Sequence, residues 1–176
     1  GIDAPTDSLG NSLIFGVPFA QYFKVDADFR YYNIISKNTS FVVRFFAGVA
    51  VPYGNASSLP IEKGYYGGGA NGMRGWPYRR LGPGAYSNPN DNYDRMGEIQ
   101  GEFNMEYRFT VYKWLKMALF TDFGNIWFIH ENETYPGGQF KWDSFISELA
   151  MDLGVGLRFD FNFFVLRLDG AVQARD

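Results

Sequence analysis

Residues 98–109 read EIQGEFNMEYRF, and hydrophobicity alternates at every position of this stretch. Successive side chains of a β-strand point to opposite faces of the sheet, so this alternation predicts a strand with one apolar and one charged face. The apolar or small side consists of Ile99, Gly101, Phe103, Met105, Tyr107 and Phe109. The polar or charged side consists of Glu98, Gln100, Glu102, Asn104, Glu106 and Arg108.

The same two-residue period recurs along most of the chain and predicts an all-β fold, an antiparallel meander of about six long strands. We predict these strands at residues 19–33, 41–53, 98–109, 115–127, 146–160 and 164–175. Strands of soluble proteins average about 5 to 6 residues, whereas a tilted membrane-spanning strand needs about 9 to 11. The lengths favour a transmembrane barrel over a soluble sandwich, which would carry charges along the outer face of needlessly long strands.

The links between these strands alternate in length. Short links are predicted at residues 36–40, 110–114 and 161–163, and long ones at 54–97 and 128–145. Outer-membrane barrels have short periplasmic turns and long external loops, so the alternation predicts which end faces outward. Aromatic residues near the short links, such as Tyr112 and Trp114, fit an interfacial girdle, and aromatic residues near Phe19, Tyr53 and Trp127 are expected to form the girdle at the opposite end.

Composition excludes several classes of protein. The 176 residues include no cysteine and one histidine, His130, which removes thiol chemistry and metal sites that need several imidazoles. The net charge of −3 excludes a nucleic-acid partner, because phosphate binding needs clustered positive charge. No run of 18 apolar residues is present, and the first ten residues lack the features of a signal peptide. We expect no cofactor, no metal and no catalytic residue.

Six strands are fewer than the eight with which single-chain membrane barrels begin, and the chain stops inside its last alternating run. We therefore expect residues 1–176 to be part of a C-terminal barrel domain whose other strands lie outside this chain. The alternative is a complete six-stranded protein that closes its barrel by oligomerising.

The loop at residues 54–97 contains KGYYGGGANGMRGWPYRRLGPGAY at residues 63–86. Gly67, Gly69 and Gly72 match the spacing G-x-G-x-x-G, but nucleotide binding also needs a following helix, and the glycines and prolines here prevent one. Arg74 lies among glycines and aromatic residues, where an unpaired guanidinium would be costly. Its partners should come from carboxylates predicted on the inner sides of strands: Glu98, Glu102, Glu106, Asp122, Glu148 and Asp152.

These residues resemble the BamA and TamA family of outer-membrane assembly proteins, also called the bacterial surface antigen family. The loop motif consists of Gly67, Gly68, Gly69, Met73, Arg74, Gly75, Trp76, Leu81, Gly82 and Pro83. Downstream, Glu106 matches an acidic position of the family, and Asp122, Gly124 and Trp127 match an Asp-x-Gly-x-x-Trp pattern. The likeness is nearest to TamL-type members, through residues 17–32, 67–76 and 156–161.

The resemblance implies a sixteen-stranded transmembrane barrel in the bacterial outer membrane, of which these strands would be the tenth to the fifteenth. It also implies that the loop folds into the lumen and that Arg74 pairs with Glu106 and Asp122. Strand sixteen and the periplasmic POTRA domains would lie outside this chain.

The resemblance implies a non-enzymatic component that inserts or translocates proteins. Its partners would be the outer-membrane lipid bilayer, unfolded outer-membrane or surface proteins, and periplasmic or accessory assembly proteins. Two alternatives are a two-partner secretion pore of the same superfamily and an outer-membrane porin or enzyme, whose chemistry would need His130 and a serine such as Ser8, Ser57 or Ser144.

Overall fold

The computed structural model describes residues 5–8, 10–88, 93–161 and 163–176. The six long strands within them are β3 (Gln21–Ser36), β4 (Thr39–Tyr53), β5 (Ile99–Tyr112), β6 (Leu115–Trp127), β7 (Ala150–Asp160) and β8 (Val165–Arg175). Before them, β1 (Leu13–Ile14) and β2 (Val17–Pro18) form a separate hairpin. This hairpin was not predicted, because two residues are too few to show a period. A short 3-10 helix, Ile61–Lys63, lies between β4 and β5.

The six long strands form one antiparallel sheet in which every strand pairs with its neighbour in the sequence, in the order β3-β4-β5-β6-β7-β8. On β5, Phe103 lies opposite Phe45 of β4 on one side and Phe123 of β6 on the other. The predicted all-β fold, an antiparallel meander of six long strands, is confirmed.

One predicted strand was wrong at its start, because residues 146–148 form turns and β7 begins only at Ala150. The N–H groups of Ser147 and Glu148 both donate to the carbonyl of Ser144, at 2.8 and 3.1 Å, so the backbone coils there. Two links are also shorter than the predicted 36–40 and 110–114, since β3 reaches Ser36, β4 begins at Thr39 and β5 reaches Tyr112. The predicted link at 161–163 contains residue 162, which lies outside the described residues.

The two faces of the sheet differ as the alternation requires. On β5, Gln100, Glu102 and Glu106 are buried, whereas Phe103 and Tyr107 are exposed. We call the face that carries the buried polar side chains the inner face and the opposite, apolar one the outer face. In the part of the chain that the structure describes, no helix has the length and apolar character needed to cross a membrane.

Aromatic rings gather at the end of the sheet where the links are short. Trp114 stacks on Phe159 with 5.9 Å between ring centroids and contacts Tyr112 at the same distance. Phe161 and Phe164 pack at 5.0 Å beside the last turn. At the other end lie two long connections, residues 54–98 and 128–149, which we call the long loop and the second loop.

The core lies between the long loop and the inner face. One buried cluster joins Met73, Trp76 and Leu81 of the loop to Ala150 of β7. A second cluster is formed by Ala50, Leu59, Tyr65 and Ile126. The long loop is therefore not a free external loop, because it supplies the apolar side chains that cover the charged face of the sheet.

Candidate functional site

The motif of the long loop folds back on itself, so that Arg74 lies at its tip. The N–H of Gly69 donates to the carbonyl of Trp76 at 2.9 Å, and Gly67 forms an isolated bridge with Leu81. Gly68 has a φ of +96°, and a Cβ there would lie 2.2 Å from the carbonyl oxygen of Pro77. Glycine is required at this position, because a side chain would be both strained and overlapping.

Arg74 is bound by two carboxylates of the sheet. Its Nε and Nη2 donate to the two oxygens of Asp122 on β6, at 2.7 and 2.8 Å. Its Nη1 donates to Oε2 of Glu106 on β5 at 2.7 Å. The Arg74 side chain is 6% exposed, and its guanidinium carbon lies 3.4 Å from the ring centroid of Phe120. The structure thus brings together the three residues that the sequence analysis paired.

The loop backbone approaches the sheet on either side of Arg74. The N–H of Gly75 donates to Oδ2 of Asp152 on β7 at 2.6 Å, and a Cβ on Gly75 would lie 2.7 Å from the Cβ of Asp152. The carbonyl of Gly72 accepts a hydrogen bond from the Asn104 amide at 3.0 Å. These two glycines allow main-chain groups of the loop to contact the sheet directly.

Glu106 connects Arg74 to other charges of the inner face. Its Oε1 accepts hydrogen bonds from Arg108 and from Arg158 of β7, both at 2.7 Å. Arg158 also donates to Asp169 of β8 at 3.2 Å. Three arginines therefore share one carboxylate, and the contacts of Arg74 extend across four strands, β5 to β8. We call the set Arg74, Glu106, Asp122, Asp152 and Arg158 the Arg74 network.

The rest of the loop motif is packed rather than polar. Met73, Trp76 and Leu81 are at most 5% exposed. Gly82 has a φ of +74°, and a Cβ there would lie 2.4 Å from the Asn125 side-chain oxygen. Pro83, which follows it, is fully buried. This part of the motif seats the loop on the sheet.

Gly124 and Trp127, the last two residues of the predicted Asp-x-Gly-x-x-Trp pattern, lie at the end of β6. A Cβ on Gly124 would lie 2.6 Å from the carbonyl oxygen of Gly101 on β5, so the strands there meet closely. Trp127 is 2% exposed, and its Nε1 donates to Glu148 of the second loop at 2.7 Å. The girdle prediction was wrong for Trp127, because the second loop covers this residue, whereas Tyr53 is 54% exposed. Glu148 lies in a turn rather than on the predicted strand.

Sequence reasoning placed Asp152 among six inner carboxylates but did not single it out, and it assigned no partner to Arg158 or Asp169. The alternation put all three on the charged face. Which of them touch is decided by the pairing between strands, for example Asp122 opposite Asp152, and no local pattern contains that register.

Within the described ranges, no group of three or more His, Asp or Glu residues could hold a metal ion. His130 is exposed and lines a cavity of about 500 Å³ together with Ser57, between the two long connections. No hydrogen bond joins Ser57 to His130 among the described contacts, and Ser144 donates instead to Glu148 at 2.6 Å.

Comparisons with known proteins agree with this architecture. A family model described as the Omp85 superfamily domain matches residues 10–176. Outer membrane protein assembly factor BamA from Neisseria meningitidis serogroup B is 24% identical over 120 residues, which are 65% of this chain and 15% of BamA. The chain thus spans a small part of the relative that it matches.

A solved structure has the same fold. The crystal structure of BamA from Haemophilus ducreyi lacking POTRA domains 1–3 matches with a TM-score of 0.66 and 15% sequence identity. The match covers 89% of this chain and 32% of that one. At this identity the likeness concerns the fold alone.

Proposed function

The chain belongs to the Omp85 superfamily and lies in the bacterial outer membrane, and we propose that it is part of a non-enzymatic barrel that inserts or translocates proteins. In this proposal, residues 1–176 are a partial C-terminal domain of a sixteen-stranded barrel. Strands β3 to β8 are six consecutive strands of its wall, and the outer face contacts lipid. The short turns face the periplasm, and the two long connections lie at the external end.

The observation that carries the proposal is the binding of Arg74 by Glu106 and Asp122. A guanidinium that is 6% exposed and shared by carboxylates of two strands fixes the tip of the long loop against the barrel wall. We infer that this contact positions the loop motif, residues 67–83, inside the lumen. The acidic positions act as anchors for the loop and not as an acid and a base.

A loop that is fixed inside the lumen is compatible with a barrel that inserts or translocates other proteins. Unpaired groups at the edge of a sheet can pair with an incoming strand, so insertion needs an accessible edge and no local source of chemical energy. The loop then maintains the shape of the lumen while strands pair elsewhere on the wall. The proposed partners are the outer-membrane lipid bilayer, unfolded outer-membrane or surface proteins, and periplasmic or accessory assembly proteins.

Arginine is needed at position 74 because its planar fork binds Asp122 through two nitrogens and Glu106 through a third. Lysine offers one ammonium group and cannot reproduce this geometry. We therefore expect Arg74→Lys to impair the protein nearly as much as Arg74→Ala. Removing one partner of a buried ion pair typically costs about 3–5 kcal/mol, enough to release the loop while the strand pairing keeps the barrel folded.

The test uses the full-length protein with Arg74→Lys, Arg74→Ala or Asp122→Ala. Barrel formation is measured by heat-modifiability, and assembly of client proteins is measured in cells. We expect folded barrels with impaired assembly. Arg79→Lys and Arg79→Ala are the matched controls, because Arg79 belongs to the same loop but pairs with Asp94 in a much less buried contact, with side chains 33% and 56% exposed. Normal assembly by all three Arg74 and Asp122 variants would contradict the proposal.

A further inference from the structure

Two aspartates of the inner face lie side by side beneath the tip of the long loop. Asp122 on β6 and Asp152 on β7 are directly opposite in the strand pairing, and both are fully buried. They differ in their partners. Asp122 accepts four hydrogen bonds, three from Arg74 and one from the Asn104 amide.

The side chain of Asp152 has much less support. Its Oδ2 accepts the N–H of Gly75 at 2.6 Å, whereas its Oδ1 is buried and has no hydrogen-bond partner among the described residues. Its cross-strand neighbour is Asp122, and neither side chain is accessible to solvent. Two acceptor groups thus face each other with no donor between them, an arrangement that a buried carboxylate pair avoids by binding a proton.

The charged residues around the two aspartates also indicate that one of them binds a proton. The positive charge nearest the pair is Arg74, and its guanidinium already binds Asp122 and Glu106. Arg158 binds Glu106 and Asp169 instead. On the β8 side, the residue paired with Asp152 is Gln173, which is neutral and donates to the carbonyl of Gly75 at 3.0 Å. No described cation is left to balance an ionised Asp152.

We propose that Asp152 holds a proton at Oδ1, donates it in a hydrogen bond to Asp122, and accepts the N–H of Gly75 at Oδ2. Asp152 is then a neutral positioning residue, which orients Asp122 toward Arg74 and fixes the loop backbone at the next residue. This inference rests on the proposed loop anchoring and deepens it. The two aspartates have different roles, one as the ionised partner of Arg74 and the other as its protonated support.

The protonation difference predicts opposite outcomes for the same substitution at the two positions. Asparagine resembles a protonated aspartate, because its carbonyl can accept the Gly75 N–H and its NH₂ can donate to Asp122. We expect Asp152→Asn in the full-length protein to keep the hydrogen-exchange protection of the loop amides at 73–76 within about twofold. Asp122→Asn, the matched control, should lower that protection by about tenfold or more, because Arg74 loses its ionised partner.

Asp152→Leu removes both hydrogen bonds at similar size and should lower protection at Gly75 by about tenfold. Heat-modifiability shows whether each barrel has folded. If Asp152→Leu leaves protection at Gly75 unchanged, Asp152 does not position the loop. If Asp152→Asn is as damaging as Asp122→Asn, Asp152 acts as a carboxylate, and the proposal is wrong.

Infrared spectroscopy tests the proton directly. The full-length protein in dodecyl maltoside micelles, whose detergent has no carbonyl group, should show at neutral pH the carbonyl band of a protonated carboxylic acid, shifted in D₂O. The band should be absent from Asp152→Asn and retained in Glu131→Gln, a control at an exposed carboxylate. Absence of the band from the parent protein would overturn the proposal. This result does not depend on client assembly, so normal assembly by all three Arg74 and Asp122 variants would reject the proposed function and leave the proposed proton on Asp152 unaffected.

Discussion

The two long connections leave the same end of the sheet but are held in different ways. The long loop is attached by directional contacts to the strands, from Arg74 to Glu106 and Asp122 and from Gly75 to Asp152. The second loop also accepts a hydrogen bond from the sheet, from Trp127 of β6 to Glu148, but contacts among its own aromatic residues distinguish it from the long loop. Phe140 contacts Trp142 and Phe145 with centroid distances of 5.0 and 5.8 Å. The tip of the long loop is therefore held by buried ion pairs to two strands, whereas the second loop combines hydrogen bonds from β6 with packing among its own rings.

The two kinds of contact should differ in how well they tolerate substitutions. A directional contact fails when its geometry changes by less than 1 Å, whereas aromatic packing can adjust by small ring movements. The two loops also touch, since the N–H of Ala85 donates to the carbonyl of Gly137 at 3.0 Å and Tyr86 packs on Tyr135 at 5.0 Å. Substitutions in one loop should thus be measured in both.

The largest effect is expected from Gly75→Val, which places a side chain where the long loop meets the sheet. The Cβ alone would lie 2.7 Å from the Cβ of Asp152, and β7 cannot move away without breaking its pairing. Gly75 does not have a positive φ, so the substitution tests space and not backbone strain. We expect it to destabilise loop docking by about 3 kcal/mol, measured by protease protection of residues 63–86 in the full-length protein.

Gly170→Val on β8 is the matched control for Gly75→Val. A Cβ at Gly170 would have no neighbour within 4 Å among the described atoms, so the same added volume should leave loop protection unchanged. If both variants reduce protection equally, the effect comes from a general loss of barrel stability. The result would then give no evidence that close backbone contact at Gly75 holds the long loop on the sheet.

The sequence predicted the strands well because each of them separates an apolar face from a charged one, and the period of two is visible in residues such as Phe103 and Glu106. It failed at residues 146–149, which read Ile-Ser-Glu-Leu and so already break the two-residue period, and where the backbone coils through hydrogen bonds to Ser144. It also misplaced Trp127, because the pairing of β6 with β7 ends at Gly124 and the second loop covers the residues beyond.

The site was predictable only in part. Arg74, Glu106 and Asp122 followed from a family resemblance together with the alternation, which put both acids on one face of consecutive strands. Asp152 was one of several inner acids, and its contact with Gly75 depends on the register between β6 and β7 and on the depth at which the loop enters. These are properties of pairing between distant segments, so they could not be derived from either segment alone.

A smaller and local effect is expected from Phe140→Ala in the second loop. Phe140 is half-buried and contacts Trp127, Trp142 and Phe145, so its removal should loosen residues 128–149 by about 1–2 kcal/mol. Protection of residues 63–86 should stay within the error of the parent protein. Hydrogen exchange, measured for both loops in one experiment, compares the protection of residues 128–149 with that of residues 63–86. Loss of protection in the long loop as well would show that the second loop helps to hold it.

The smallest effect is expected from Trp142→Ala, although tryptophan is the largest side chain of the second loop. Trp142 is 82% exposed, so most of its surface contacts solvent or lipid rather than the protein, and its removal withdraws little buried apolar area. Its two ring contacts, with Phe140 and Phe145, are edge contacts at 5.0 and 5.9 Å, and those two rings still pack on each other when Trp142 is absent. We expect a change in stability within about 0.5 kcal/mol, measured as the urea midpoint of the full-length protein refolded in detergent.

The same variant in lipid vesicles distinguishes two reasons for the exposure of Trp142. An unchanged midpoint in both media means that Trp142 lies free in water, whereas a larger loss in vesicles than in detergent means that the ring is anchored in lipid. If Trp142→Ala loses as much stability in detergent as Phe140→Ala, the exposed ring stabilises the second loop as much as the half-buried one, which would contradict this prediction.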